Sequence, residues 1–83
     1  MTEATIKDVV MRLLRRFAPE ANLEELSPDA NLREALDIDS FDFLNFLIAI
    51  HENLKIEIPE SDYDQVSTLA GILRYLAQRI PTS

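Results

Sequence analysis

Between Phe41 and Leu54, nine of fourteen side chains are apolar: Phe41, Phe43, Leu44, Phe46, Leu47, Ile48, Ala49, Ile50 and Leu54. The run reads as a helix over residues 40–54. A helix with one core-facing stripe needs fewer apolar residues than this, and one that is apolar nearly all round must be covered on several sides. The chain has 83 residues, enough for one domain with a thin core. Some of these side chains are therefore expected to meet a ligand or a partner. Phe41, Phe43, Phe46 and Ile48 cannot all be core at once, because their helical angles spread too widely.

Two further helices are expected. Ile6, Val9, Val10, Leu13, Leu14 and Phe17 form an i, i+3, i+4, i+7 stripe over residues 2–17, with Thr2 or Thr5 as cap and Pro19 as terminator. Arg12, Arg15 and Arg16 lie off that stripe, near the end where positive charge is favourable. Leu69, Ile72, Leu73, Leu76 and Ile80 mark a last helix over 67–79, capped by Ser67 and stopped by Pro81. A helical turn is expected at 60–65, with Tyr63 and Val66 pointing inward. Gly71, the only glycine, sits inside the last helix, where close packing or simple tolerance explains it. Residues 18–39 have no sustained period, yet Leu23, Leu26, Leu32, Leu36 and Ile38 recur through them and should pin the segment to the helices. A short turn around Asn31–Ala35 is expected there. The fold class is all-α: a small three-to-four-helix up-and-down bundle with a long loop between the first and second helices.

Composition narrows the chemistry. The chain has no cysteine and one histidine, which excludes disulfides, thiolate metal sites and His-rich metal sites. No EF-hand spacing surrounds Asp37, Asp39 and Asp42, so no metal site is assigned. No signal peptide or membrane span is read, and a cytoplasmic monomer is expected. Net charge is −7, with thirteen of fifteen acidic residues between 17 and 64, where only Arg33 and Lys55 are basic. Such a centre repels nucleic acid and attracts basic protein surfaces.

Asp39 is the natural cap of the central helix, with Asp42 at its third position. Ser40 then stands in the first turn, where free N–H groups and the dipole favour negative charge. A hydroxyl there is well placed to carry a phosphate.

The segment Leu36-Asp37-Ile38-Asp39-Ser40-Phe41-Asp42 resembles the attachment motif of acyl carrier proteins. The resemblance extends over nearly the whole chain, through the first helix, the long loop, Glu57-Ile58-Pro59 and the Ser67–Leu76 helix. It implies a non-catalytic carrier, with 4′-phosphopantetheine attached to Ser40 by a phosphopantetheinyl transferase and an acyl group held as a thioester on its thiol. It further implies that Asp39, Phe41, Asp42, Asn45 and Ile48 meet the transferase and acyl-transferring or synthase enzymes with basic docking patches. Phe43, Phe46, Leu47, Ile50, Leu69 and Ile72 become candidates for lining an acyl pocket. Cargo and pathway stay open among fatty-acid, lipid and polyketide-type synthesis.

Three departures mark the chain off from the usual pattern. Asp37 stands where glycine is common, so the loop is expected to bend differently there. Asn45 replaces a frequent Glu, and His51 replaces a frequent acid. Phe43 and Phe46 add aromatic bulk. These features point to a specialised, free-standing, bacterial-type carrier with its own partner set. The alternatives are an unmodified helical adaptor for basic partners and an aminoacyl or peptidyl carrier.

Overall fold

The computed structural model describes residues 2–80, so the expected stop at Pro81 lies outside the described residues. Helix α1 (Glu3–Phe17) is capped by Thr2, whose Oγ1 accepts from the Thr5 amide at 3.1 Å. Its stripe Ile6, Val10, Leu13 and Leu14 is buried, and Arg15 and Arg16 lie exposed in its last turn. The following connection is built from short, individually capped pieces. Asn22 caps a 3₁₀ turn at Leu23–Glu25, and Asn31 caps α2 (Leu32–Ala35), its Oδ1 accepting from the Glu34 amide at 3.1 Å. Leu23, Leu32 and Ile38 are buried, while Leu26 and Leu36 pack partly against the core. Polar caps outside and leucines inside let a long, irregular segment remain ordered.

Helix α3 (Ser40–Leu54) is the apolar run. It buries Phe43, Phe46, Leu47, Ala49 and Ile50, and ends where Lys55 turns left-handed at φ 59°. Phe46 meets Phe17 of α1 edge-on, with ring centroids 6.2 Å apart. Helix α4 (Leu69–Arg79) buries Leu69, Ile72, Tyr75 and Leu76. Helix α1 packs against both α3 and α4, so the fold is a small all-α bundle with a long connection before α3. Among the described residues the only β pairing is an isolated bridge between Asn31 and Thr68.

The start of α4 differs from expectation. The helix begins at Leu69, not at 67, and Thr68 is its cap, with Oγ1 accepting from the Gly71 amide at 3.0 Å. Ser67 is occupied elsewhere. Its hydroxyl donates to the Asp64 carbonyl at 3.3 Å, and its own carbonyl accepts from the Leu32 amide at 2.9 Å. The preceding segment Glu60–Val66 is a 3₁₀ helix of seven residues. Val66 is fully buried and Tyr63 half-buried.

Gly71 is needed for space. A Cβ there would run into the Gln65 carbonyl oxygen and stand 3.0 Å from Thr68 Oγ1. Helix propensity alone favours Ala over Gly by about 1 kcal/mol. Because a backbone carbonyl cannot swing aside as a side chain can, the overlap reverses the sign. Gly71→Ala is expected to lower stability by about 1–3 kcal/mol, seen as a lower urea midpoint. A raised midpoint would show that propensity wins and that the contact is soft.

One polar cluster joins the 3₁₀ segment to α4. The Tyr75 hydroxyl donates to Asp62 Oδ2 at 2.7 Å, and Arg79 lies 3.6 Å from the same oxygen with its guanidinium 3.5 Å above the Tyr75 ring. Burial first, and then the hydrogen bond to Asp62, raise the Tyr75 hydroxyl above the usual tyrosine range. A raised folded-state value means that the unfolded chain ionises first. The contribution of Tyr75 is thus complete below pH about 10 and is lost as pH rises through the raised value. Tyr75→Phe is expected to cost about 1 kcal/mol at neutral pH and to flatten the alkaline decline in stability. An alkaline decline equal in both proteins would assign it to other groups.

Candidate functional site

The backbone just before α3 aims its first residue. The Ile38 amide donates to the Arg33 carbonyl at 3.1 Å, closing a turn in which Asp37 adopts φ 53°. That left-handed region suits glycine, and Asp is among the few other residues that visit it at modest cost. The loop therefore keeps a glycine-type bend and adds a side chain to it, in place of the different bend expected from the sequence. Asp39 follows in extended conformation, and its Oδ1 accepts from the Asp42 amide at 2.8 Å. With the cap supplied by Asp39, the Ser40 hydroxyl is not needed to hold the helix. Ser40 is exposed at the first helical position.

Ser40 opens on a groove of about 560 Å³ between α3 and the Glu60–Val66 segment, with Phe43, Leu44, Tyr63 and Ser67 on its walls. Tyr63 is shared with a second groove of about 280 Å³, walled by Leu47, Ile48, His51 and Ile58. The two follow α3 away from Ser40, each combining apolar walls with polar side chains.

The outer face of α3 carries an apolar stripe. Phe41 is 71% exposed, Leu44 39% and Ile48 45%, at i, i+3 and i+7. Such spacing places all three on one side of the helix. Asp39 is exposed ahead of the stripe, and Asp42 and Asn45 are half-buried in the helix. Leu44 completes the stripe, although the sequence reading does not single it out. Its spacing of three from Phe41 and four from Ile48 is the signal that identifies it.

The six candidates for lining an acyl pocket stand in different settings. Phe43 walls the groove beside Ser40, and Leu47 walls the next. Leu69 faces a separate groove with Met11, Leu23 and Leu26 on the α1 side. Phe46, Ile50 and Ile72 are wholly buried in the core. Among the described residues, no group of three or more His, Asp or Glu could hold a metal ion, and no helix is long and apolar enough to cross a membrane.

The whole chain has recognisable relatives. A family model described as a phosphopantetheine attachment site matches residues 4–76. An acyl carrier protein of Streptomyces coelicolor is 30% identical over 78 residues, covering 94% of this chain and 85% of the relative. An acyl carrier protein of Wolinella succinogenes is 31% identical over 71 residues, covering 86% and 87%. The fold is similar to the solution structure of a protein from Anaplasma phagocytophilum described as an acyl carrier protein. That match has a TM-score of 0.85 and 27% identity, covering 100% of this chain and 97% of the other.

Proposed function

This chain belongs to the acyl carrier protein family, non-catalytic carriers bearing covalent 4′-phosphopantetheine, and from that premise we propose that Ser40 is the attachment residue. The observation that carries this reading is the exposed Ser40 hydroxyl at the start of α3, released from capping by Asp39 and opening on a groove. When bound, the arm supplies a thiol on which an acyl group is held as a thioester. The protein's part is to fix the arm's origin and to present its own surface. Asp39 and Asp42 offer carboxylates to a phosphopantetheinyl transferase. Phe41, Leu44 and Ile48 offer an apolar contact, with Asn45 beside them, to acyl-transferring or synthase enzymes whose basic patches match the acidic centre of the chain. Phe43, Leu47 and Tyr63 line the path along α3 on which the arm and the proximal part of its cargo lie. We read the 83 residues as one carrier domain that works as a cytoplasmic monomer in fatty-acid, lipid or polyketide-type synthesis.

The absence of cysteine makes the test simple. After incubation with coenzyme A and a broad-specificity phosphopantetheinyl transferase, any protein-bound thiol belongs to an arm. A single titratable thiol per chain is expected. A chain that stays thiol-free under conditions that load a control carrier would overturn the reading.

A further inference from the structure

We propose that Arg33 grips the phosphodiester at Ser40 and so sets the direction in which the arm leaves the protein. This inference rests on Ser40 being the attachment residue. Arg33 is one of only two basic residues between positions 17 and 64, the other being Lys55. The two are far apart. Lys55 follows the last residue of α3, roughly 22 Å along the helix axis from Ser40 at 1.5 Å per residue. Arg33 lies on α2, and the bond from the Ile38 amide to its carbonyl folds α2 back toward the start of α3. Arg33 and Ser40 consequently wall the same groove of about 560 Å³.

On that groove Arg33 is the one cation and Asp64 the one acid. Among the described residues the ion pair within 4 Å is Asp62–Arg79, so no carboxylate of the described residues holds the Arg33 guanidinium at that distance. A phosphodiester on Ser40 would stand next to the carboxylates of Asp39 and Asp42, which repel it. The amides at the start of α3 offset part of that repulsion. A guanidinium reaching from the groove wall offsets more, because its planar fork matches two phosphate oxygens at once. Drawing the phosphate toward Arg33 sends the arm into the groove that Phe41, Phe43 and Tyr63 also line. Arg33 is exposed, so the attraction is that of a surface pair and weakens with salt. It acts as a positioning residue and takes no part in forming the thioester.

The test uses the full ¹⁵N-labelled chain before and after loading with coenzyme A and the transferase, with intact mass recording the loading. The Arg33 Nε–H signal is assigned by its loss in Arg33→Gln. On loading at low salt it is expected to shift, and its solvent exchange to slow roughly two- to fivefold, the factor of an exposed ion pair. Both effects should fade in about 0.5 M salt. The ³¹P resonance of the loaded chain is expected to differ between wild type and Arg33→Gln, with Arg33→Lys between them. Full loading by mass with an unmoved Nε–H signal and identical ³¹P resonances would overturn the role of Arg33 while leaving Ser40 in place. A wild-type chain that gains no mass would overturn both.

Discussion

Ser40→Ala is expected to take up no arm at all, and to keep its stability within about 0.5 kcal/mol of wild type. The two halves of that result have separate causes. The hydroxyl is the group to be modified, and alanine has none. The fold does not depend on it, because the helix cap is the Asp39 carboxylate, 2.8 Å from the Asp42 amide. Ser40 is exposed, so its loss leaves no cavity and strands no buried partner. Intact mass after transferase treatment reads the first half, and urea unfolding reads the second. An arm retained by Ser40→Ala would move the attachment elsewhere. A large loss of stability would mean that the hydroxyl, and not Asp39, holds the helix start.

Phe46→Ala should show the opposite profile, with the fold strongly destabilised while the attachment residue is intact. Phe46 is 0% exposed and sits between Phe17, 6.2 Å away, and Phe43, 6.1 Å away by ring centroids. Emptying such a position costs about 3–5 kcal/mol. A chain of 83 residues has a total stability of about 4–12 kcal/mol. The variant is therefore expected to lose at least about a quarter of its stability, and at the lower end of that range to unfold. Phe41→Ala, five residues earlier on the same helix, removes the same ring from a site that is 71% exposed. It should change stability by no more than about 0.5 kcal/mol. Circular dichroism with urea titration separates the pair. Equal losses would mean that Phe41 is covered in solution, and the outer face of α3 would not be a free surface.

That contrast marks what the residue pattern could and could not reveal. The excess of apolar residues in α3 is a local property, so it was readable that Phe41, Phe43, Phe46 and Ile48 do not share one environment. The stripe of α1, the Asn31 turn and the Asp39 cap were readable for the same reason. Each depends on residues three or four apart. Features set by distant contacts were not. Ser67 and Thr68 are both good caps by type, and the choice between them follows from Leu32 bonding to the Ser67 carbonyl, thirty-five positions away. Gly71 looks merely unfavourable until the Gln65 carbonyl is placed against it. The bond from Tyr75 to Asp62 spans thirteen positions and has no local signature. Asp37 falls between these cases: its type allows a left-handed turn, but only the closed loop from Arg33 to Ile38 shows that it takes one. For the site, motif and helix position were enough to nominate Ser40. The groove that it faces, with Arg33 and Tyr63 both on its walls, required the fold of α2 onto α3.

The central claim is that one hydroxyl among several carries the arm. Ser27, Ser61 and Ser67 are also serines of the described chain, and two of these three are exposed. Proteolysis of the wild-type chain loaded from coenzyme A, followed by fragmentation of the peptides, locates the added mass directly. The mass of the arm is expected on the peptide containing Ser40, with fragments confining it to that residue. The same mass found on a peptide containing Ser61 or Ser67, with the Ser40 peptide unmodified, would contradict the account.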